Sequence, residues 1–386
     1  MTSLKAAQQI VHIITDLNPG GAETMLARLL AVLKRGDIRF HVISLTGDGK
    51  IGELLRAEGI PVSVLGFDPQ SPNPLLFFKL VKLLRQLKPD GVHTWLYHAD
   101  LLGGLAARLA GNIPVIWALH NSTLDSTSSK RRTLRVVRLC AWLSHFVPQK
   151  ITCCSTVSRD LHIQLGYKAE KMVFIPNGFD LEVFQPNADA RLSVRAELGL
   201  FPETPLVGFM ARFDPQKDLN NFIQAASLLH QRLPEVRFLL AGTGIQYENT
   251  LLVEWINQAQ MHGKIFLLGR RDDTPRLTAA LDLATVSSAY GEAFPLVIGE
   301  AMSCEVPCVA TDVGDSKMVI GATGRVVPPR DPQALADAWY AMLSLPASER
   351  RALGRQARQI IADHYSISVS AERHQNLYRD AFNLAD

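Results

Sequence analysis

The chain has 386 residues, with 40 Lys and Arg against 37 Asp and Glu, so its formal net charge is +3. Apolar residues make up 47% and charged residues 20%, which is typical of a globular protein and excludes disordered, fibrous and low-complexity classes. The length predicts two domains rather than one. No apolar run is long enough to predict a transmembrane helix, and the first residues lack the pattern of a signal peptide, so we expect a cytoplasmic protein.

The cysteines predict no metal site and no disulfide framework. They are odd in number and form neither a C-x-x-C pair nor a pattern with histidines, as expected of buried thiols in a reducing compartment. They are Cys140, Cys153, Cys154, Cys304 and Cys308.

The first half alternates short Val- and Ile-rich runs with helical patterns. In chain order the runs are IVHIIT, FHVISL, PVSVL, DGVHTW, IPVIWAL, ITCCSTV and MVFIPN. Such alternation predicts βαβ units and a parallel sheet covered by helices on both faces.

The same alternation restarts after a polar segment, residues 180–191, which we interpret as a linker. The runs of the second half are PLVGFMA, VRFLLAG, KIFLLG, LDLATVSS and PCVATD. We therefore predict an α/β protein of two Rossmann-like doubly wound domains, residues 1–183 and 184–367, facing a central cleft. The last helix, about 368–386, is a candidate to pack back on the first domain. Ligands of such sheets bind beyond the carboxyl ends of the strands, which places the expected site in the cleft.

The segment 287–315, SSAYGEAFPLVIGEAMSCEVPCVATDVGD, carries the most chemistry. It runs from a strand through a loop into a helix that we expect to begin at Pro295, a residue suited to the first helical position. Glu292 falls in the loop and Glu300 in the second helical turn, so both carboxylates can face the strand ends.

Backbone amides at this helix start can hold a phosphate, because the first N–H groups of a helix have no partner within it. The amides belong to Phe294, Leu296 and Val297. Carboxylates beside a phosphate site are suited to sugar hydroxyls, from which they accept hydrogen bonds. Phosphate-binding amides flanked by two carboxylates therefore suit a nucleotide-sugar, although the spacing alone also fits a surface acidic pair.

The run EAFPLVIGE resembles the E-x7-E signature of the family 4 retaining glycosyltransferases, whose two-domain architecture is the GT-B fold. The flanking strand before it and the runs AMSCEVPCVATD and TGRVVPPRDPQALADAW after it agree with the family. The resemblance extends from Gly20 to about Trp339. It implies a nucleotide-sugar donor and transfer with retention, with the leaving phosphate helping to deprotonate the acceptor.

Two cations follow the first strand of the second half, in PLVGFMARFDPQKDLNNF. Arg212 can offer forked hydrogen bonds and Lys217 a compact charge, so together they can bracket a diphosphate. The R-x4-K spacing is common, but here it resembles the family's diphosphate-binding G-R-x4-K motif, with Ala211 in place of the usual glycine.

Gly20 and Gly21, in NPGGAE after the first strand, let the backbone approach a ligand closely. A tight turn without a ligand explains the pair equally well. The segment is not G-x-G-x-x-G, so a dinucleotide-binding fingerprint is not supported. The resemblance implies that these glycines contact the donor diphosphate.

Four further residues lie at or after the ends of predicted strands. His120 ends IPVIWALH, and the resemblance implies contact with the donor sugar, although a lone histidine is usually structural. The resemblance also implies that the loops AGTGIQ and LLGRRDD contact the donor, through Gly242 and Arg270. Asn177, in IPNGFD, we interpret as a structural turn residue.

We thus expect a glycosyltransferase that moves a hexosyl or N-acetylhexosaminyl group from a UDP-linked donor to a saccharide or polyprenyl-diphosphate-linked saccharide in surface polysaccharide assembly. Neither a metal nor another cofactor is expected, because no D-x-D pair stands at a strand end and two cations can neutralise the phosphates. We assign catalytic roles to His120, Arg212, Lys217 and Glu292. The remaining assigned residues bind the donor: Gly20, Gly21, Gly242, Arg270, Phe294, Pro295, Leu296 and Glu300.

Two alternatives remain open. A hydrolysing nucleotide-sugar epimerase shares the fold and would change the donor sugar without an acceptor. A non-catalytic nucleotide-sugar-binding protein would bind the donor without turnover. A Rossmann dehydrogenase is disfavoured, because the glycine fingerprint and a ribose-binding acid are lacking.

Charge is divided unevenly along the chain. Residues 1–185 hold 21 Lys and Arg against 14 Asp and Glu, whereas the remaining residues are net acidic. Two basic amphipathic segments, PLLFFKLVKLLRQLKP and SSKRRTLRVVRLCAWLSHFVP, lie in the basic half. They can bind an anionic membrane surface, or their apolar stripes can simply face the core. We expect peripheral attachment to the inner face of the cytoplasmic membrane and no nucleic-acid partner.

Overall fold

The computed structural model describes residues 8–68, 73–120 and 131–384. The chain divides into two compact units: one comprises Met1–Gly178 with Ile367–Asp386, and the other comprises Phe179–Ser366. Each unit is an α/β domain built on one parallel sheet, which confirms the predicted fold class. Among the described helices, none is long and apolar enough to cross a membrane.

The sheet of the first unit has seven strands in the order β3-β2-β1-β4-β5-β6-β7. These strands are β1 (Gln9–Ile14), β2 (Arg39–Ser44), β3 (Val62–Val64), β4 (Gly91–Trp95), β5 (Val115–Leu119), β6 (Lys150–Cys153) and β7 (Met172–Phe174). The helices between them are α1 (Gly21–Leu33), α2 (Gly49–Ala57), α3 (Pro74–Leu87), α4 (Tyr97–Gly111), α5 (Arg131–Leu143) and α6 (Thr156–Gln164). The strand order reverses between β1 and β4, where a doubly wound sheet forms its binding crevice.

The second unit has a six-stranded sheet in the order β10-β9-β8-β11-β12-β13. Its strands are β8 (Leu206–Met210), β9 (Arg237–Ala241), β10 (Ile265–Leu267), β11 (Leu283–Val286), β12 (Cys308–Thr311) and β13 (Arg325–Val327). Its helices are α7 (Ala188–Glu197), α8 (Leu219–Arg232), α9 (Thr250–Gln258), α10 (Thr274–Ala279), α11 (Leu296–Ser303), α12 (Ser316–Ile320), α13 (Pro332–Leu343) and α14 (Ala347–Ile360). A π-helical turn, Ile361–Tyr365, then leads to the last helix, α15 (Ile367–Phe382), which is part of the first unit.

Each sheet is enclosed between two layers of helices, because its strands are apolar on both faces. In the second unit, β8 pairs in parallel with both β9 and β11, so Phe209 lies beside Leu240 on one side and Thr285 on the other. The central strands β8 and β11 thereby end at the same level. Their following loops meet where the strand order reverses, which positions the site described below.

The chain enters the second unit between Gly178 and Phe179, a few residues before the expected boundary at 183/184. The interpretation of residues 180–191 as a linker is wrong, since this segment lies within the second unit and α7 begins inside it. The physical reason is apolar burial. Phe179 is fully buried and its ring stacks on Phe294 with centroids 5.9 Å apart, while Phe184 is also buried.

Candidate active site

The central feature of the second unit is an ion pair between loops that follow different strands. Lys217, in the β8 loop, contacts the carboxylate of Glu292, in the β11 loop, through Nζ and Oε1. Ser288 Oγ donates a hydrogen bond to the same oxygen at 2.5 Å. Both carboxylate and ammonium are largely buried, with side chains 10% and 18% exposed, which limits how far water can screen the pair.

Backbone contacts hold these two loops together. The Ala289 N–H donates to the carbonyl of Gln216 at 2.9 Å, and Ser287 Oγ donates to the carbonyl of Lys217 at 2.8 Å. Gly291 has a φ of +79°, and a Cβ there would lie 3.1 Å from the Gln216 side chain. The two loops therefore pack against each other and present Lys217 and Glu292 side by side.

Helix α11 begins beside this pair. It begins at Leu296 and not at Pro295, which is the N-cap residue with extended backbone (ψ 108°), so the expected start was one residue early. The N–H groups of Leu296 and Val297 lie in the first turn, where the helix supplies no acceptor. Both residues line a small pocket with Lys217 and Glu292, so amides, dipole and ammonium converge on one space.

Phe294 and Glu300, two further predicted donor-binding residues, do not line the small pocket beside Lys217 and Glu292. Phe294 is buried, with its ring between those of Phe179 and Tyr365 at centroid distances of 5.9 and 5.5 Å, so its side chain anchors the loop. Glu300 is half-buried in the second turn of α11. Its predicted contact with the donor remains a prediction.

Arg212 lies in the β8 loop but is tied to its own neighbours. Its Nε donates to Asp214 at 2.9 Å and its Nη2 to Gln216 Oε1 at 3.4 Å, and the side chain is 59% exposed. Burial tends to raise the pKa of Asp214, but hydrogen bonds from the Gln216 N–H and from Arg212 outweigh it and lower that pKa. Asp214 thus orients the guanidinium and leaves other donors available.

Gly242 and Arg270 follow neighbouring strands at the same edge of the sheet. The Gly242 N–H donates to the carbonyl of Gly269 at 2.8 Å, which joins the β9 and β10 loops. Gly242 has a φ of +149°, and a Cβ there would lie 1.8 Å from the Ala211 carbonyl oxygen, so only glycine fits. Arg270 is exposed, with Nη2 4.0 Å from Asp272.

Gly20 and Gly21 lie in the first unit, at the start of α1 after β1, and Gly20 is its extended N-cap residue. The Glu23 carboxylate folds over Gly20, because a Cβ at Gly20 would lie 2.2 Å from Glu23 Oε2. Burial raises the pKa of Glu23 to about 6, and the charge of Asp16 adds to the effect. This carboxylate was missed by sequence reasoning, although it ends the run GGAE.

His120 follows β5 in the first unit, where its ring stacks on that of Trp95 with centroids 5.0 Å apart and an interplanar angle of 16°. It lines a pocket with Asn177 and with His374 from α15. Burial, followed by the charge of His374, lowers the pKa of His120 to about 4. The imidazole is therefore neutral near pH 7 and can form hydrogen bonds without carrying charge.

Backbone strain marks the same region. Leu96, which follows β4 at the reversal of strand order, has φ 74° and ψ 152°, a conformation that side chains other than glycine rarely adopt. Such strain persists only where surrounding structure enforces it, and it concentrates at functional sites.

The structure thus brings together Lys217, Glu292, Pro295 and Leu296, with Arg212, Gly242 and Arg270 on adjoining loops of the same sheet edge. Gly20, Gly21 and His120 lie in the other unit. Sequence reasoning missed Ser288, Asp214 and Gln216. In the sequence these three residues are marked only by lying near the predicted cations and carboxylates. That nearness does not tell which side chain forms a hydrogen bond with which partner.

The cysteines and the possible metal ligands are the remaining groups considered from sequence. All five cysteines are buried, and none of them forms a disulfide. Within residues 8–68, 73–120 and 131–384, no group of three or more His, Cys, Asp or Glu side chains is arranged to hold a metal ion.

Two parallel-sheet domains, with an ammonium, a carboxylate and a helix N-terminus at a strand-order reversal, are typical of glycosyltransferases of the GT-B fold. Comparisons with known proteins agree. Residues 19–183 match the model of Glycosyltransferase Family 4, and residues 204–344 match that of the Glycosyl transferases group 1.

Individual relatives are similar to the chain over different lengths. The UDP-Gal:alpha-D-GlcNAc-diphosphoundecaprenol alpha-1,3-galactosyltransferase of Escherichia coli is 30% identical over 247 residues, 62% of each protein. The lipopolysaccharide core biosynthesis mannosyltransferase LpsB of Rhizobium meliloti is 27% identical over 82% of this chain and 89% of its own length. The crystal structure of Anabaena Alr3699/HepE with UDP superposes with a TM-score of 0.85, at 25% identity over 97% of this chain and 100% of that one.

The chain belongs to the family 4 glycosyltransferases of GT-B fold. It is a glycosyltransferase, as the sequence predicted.

Proposed function

We propose that the protein transfers a hexosyl or N-acetylhexosaminyl group from a UDP-linked sugar, with retention and without a metal ion. The observation that carries the proposal is the Lys217–Glu292 pair beside the first turn of α11. The choice of UDP is supported by the similar protein HepE, solved with UDP and with UDP and glucose.

In this proposal the leaving diphosphate is stabilised by fixed positive charge. Lys217 has three N–H donors and uses one on Glu292, so others are available for phosphate oxygens. The amides of Leu296 and Val297 add donors that need no reorganisation as the bond to the sugar breaks. Arg212, oriented by Asp214, adds a second cation at the same edge of the sheet.

Glu292 is assigned to the donor sugar. Ser288 and Lys217 hold one oxygen of its carboxylate, which fixes the direction of the group. A carboxylate fixed in this way can accept hydrogen bonds from sugar hydroxyls and discriminate between their configurations. Glu300 is assigned to hydroxyls at the nucleoside end, and neutral His120 to a hydroxyl of the transferred sugar.

We propose a saccharide, or a saccharide linked to polyprenyl diphosphate, as the acceptor. The galactosyltransferase relative carries a GlcNAc-diphosphoundecaprenol acceptor in its name, and LpsB is named for lipopolysaccharide core biosynthesis. A lipid-linked acceptor requires that the enzyme reach a membrane. The described part of the first unit has a protein surface suited to docking on one.

That surface is formed by α3, α4 and α5, which pack side by side over one core. Their inner faces bury residues such as Leu80 and Val137, as the alternative interpretation of these helices expected. Large apolar side chains nevertheless remain outside. The exposed ones are Leu75, Phe78, Leu109, Leu139, Trp142 and the adjoining Phe146.

The same helices also expose cations, and they add no acidic side chain to the surface. The exposed cations are Lys79, Lys82, Arg85, Arg108, Arg132, Arg135 and Arg138. The one acid in these helices, Asp100, is fully buried and its pKa is raised well above its ordinary value by burial. Aromatic rings among cations, without exposed carboxylates, are suited to an anionic lipid interface. Lys130, the first basic residue of the second segment, lies outside the described residues.

A panel of nucleotide-sugars tests the proposed activity. We expect UDP-sugars to raise the melting temperature by preferential binding to the folded state, and one of them to be consumed with an acceptor saccharide. Conversion of the donor sugar without acceptor would instead establish the epimerase, and binding without turnover across many acceptors the non-catalytic protein. Treatment of the active enzyme with EDTA should leave its rate unchanged, and a loss reversed by Mg²⁺ would refute metal-free transfer.

A further inference from the structure

A second pocket of the second unit lies against the same β8 and β11 loops but is lined by other residues. It is bordered by the start of α8, by Ala289 and Tyr290, and by the segment from Arg330 to Pro332 that begins α13. Lys217 and Glu292 are not among its lining residues, so it is distinct from the donor site.

Asn221, which lines this pocket, has an unsatisfied amide. The residue is only 6% exposed, and neither its Oδ1 nor its Nδ2 has a hydrogen-bond partner in the structure. Buried polar atoms in folded proteins almost always have partners, so the Asn221 amide is suited to bond a ligand in this pocket. An amide offers one acceptor and two donors, and a hydroxyl group can satisfy either side.

The charge of the pocket favours a neutral ligand. Asp218 and Arg330 carry opposite charges and are close enough that Arg330 lowers the pKa of Asp218, against a larger rise caused by burial. Part of the Asp218 carboxylate is already used, since it accepts the Asn221 N–H at 3.4 Å to cap α8. A phosphate would meet this carboxylate, whereas sugar hydroxyls can donate to it and accept from Arg330.

Other lining groups extend the same chemistry. Asn220 and Gln224 add two amides, and Tyr290 adds an aromatic ring. Ligand sites commonly combine such a ring with a few polar groups of fixed position. We propose that this pocket is a second carbohydrate site, which binds one neutral sugar unit through the Asn221 amide, Asp218 and Arg330.

The site lets the enzyme hold a saccharide beside the loops that present Lys217 and Glu292. The Ala289 N–H, next to Tyr290, donates to Gln216 of the β8 loop. Pro215 of the β8 loop and Tyr290 of the β11 loop both line the pocket, so a sugar bound here contacts both of the loops that carry the donor site. This inference requires neither a particular donor nor turnover, so it can fail separately from the proposed activity.

Saturation-transfer NMR on the full chain tests the site. Excess UDP is present to occupy the donor site, and the probes are methyl α-glucoside, galactose and N-acetylglucosamine, with inorganic phosphate as the anionic competitor. We expect at least one sugar to bind, with affinity reduced about tenfold or more by Asn221→Ala and by Tyr290→Ala, since each removes a group of the lining. Asn257→Ala, an exposed asparagine of α9, is the matched control and should bind normally.

Three results would overturn the proposal: absence of saturation transfer to every sugar, equal affinity in both pocket variants, or displacement of the sugar by phosphate. UDP-induced thermal shifts are measured on each variant to establish folding. If Asn221→Ala fails to fold, Tyr290→Ala alone decides. A crystal soaked in the bound sugar that shows only an ordered water on the Asn221 amide would also refute the site.

Discussion

The Lys217 ammonium contacts the Glu292 carboxylate between two loops that are 75 positions apart in the chain. Each group is nearly enclosed, and Ser288 holds the same carboxylate oxygen. Removing either partner leaves a buried charge uncompensated, which is costlier than losing an exposed pair. The pair therefore joins the two loops, and under the proposed function it also presents charge to the donor.

Lys217→Met should lower turnover by about 10²–10³, the scale for losing one preorganised donor to developing negative charge. It should also lower the melting temperature, because Glu292 loses its counter-charge. Ser288→Ala removes only a hydroxyl, so it should lower both turnover and melting temperature less than Lys217→Met does. Steady-state kinetics and thermal unfolding measure these effects, with exposed Lys317→Met as the control. Parent-like turnover by Lys217→Met would remove Lys217 from the mechanism.

Arg212→Ala should also lower turnover by about 10²–10³, again through lost stabilisation of the leaving diphosphate. Its exposure predicts almost no change in stability, in contrast to Lys217. Asp214→Ala keeps the Arg212 cation but removes the carboxylate that orients it, so turnover should fall less than in Arg212→Ala. Arg355→Ala on α14 is the exposed control. An unchanged rate for Arg212→Ala would contradict its assignment.

Gly242→Ala should destabilise the second unit by about 1–3 kcal/mol, because a Cβ cannot fit against the Ala211 carbonyl at this φ. Since Ala211 precedes Arg212, turnover should fall as well. Gly47→Ala is the matched control, because nothing lies within 4 Å of a Cβ at Gly47 and its φ is not positive. Urea unfolding measures both variants. Equal stabilities for the two would show that the Gly242 backbone can relax.

The buried histidines of the first unit predict acid sensitivity. Burial, followed by the charge of His374, lowers the pKa of His12 to about 3, and burial lowers that of His374 to about 4, both from an ordinary value of 6.5. The unfolded chain thus binds more protons below pH 6.5, so this stability is complete above pH 6.5 and is lost as the pH falls. The rings pack with His93, Trp95 and Tyr378.

We expect the free energy of unfolding to fall by about 2 kcal/mol per buried imidazole between pH 6.5 and pH 5, since each pH unit is worth about 1.4 kcal/mol. Urea titrations at several pH values measure this slope. His374→Gln should make the free energy of unfolding depend less steeply on pH, and the dependence that remains should come from the other buried histidines. A parent protein equally stable at both pH values would contradict the lowered pKa values.

The surface of α3, α4 and α5 should bind vesicles containing phosphatidylglycerol at low salt and release them at high salt, because screening weakens exposed charge interactions. Trp142→Ala with Phe146→Ala should weaken binding measured by co-sedimentation. Phe201→Ala, which removes a side chain 80% exposed in the second unit, is the control. No binding to anionic vesicles, or equal binding to neutral phosphatidylcholine, would refute this surface as an electrostatic docking site.

Much of the fold could be predicted from local sequence patterns. Runs of apolar residues and helical periodicity predicted both parallel sheets, because strands buried on two faces must be continuously apolar. The boundary was harder to place, since Phe179 and Phe184 are separated by polar residues and their burial depends on distant partners such as Phe294. Polarity alone therefore suggested a linker where the chain is packed.

The nearly neutral net charge of the chain conceals an uneven distribution of charged residues between its two halves. Sequence by itself determined the family motif, the residue types at the strand ends and the acid-free composition of α3, α4 and α5 apart from Asp100, since these depend only on order along the chain. Tertiary structure decided that Lys217 pairs with Glu292, that Asp214 orients Arg212, and that Asp100 is buried while Trp142 is exposed. The reason is physical: partners of buried charges are selected by strand order and burial, which bring together residues that no local pattern relates.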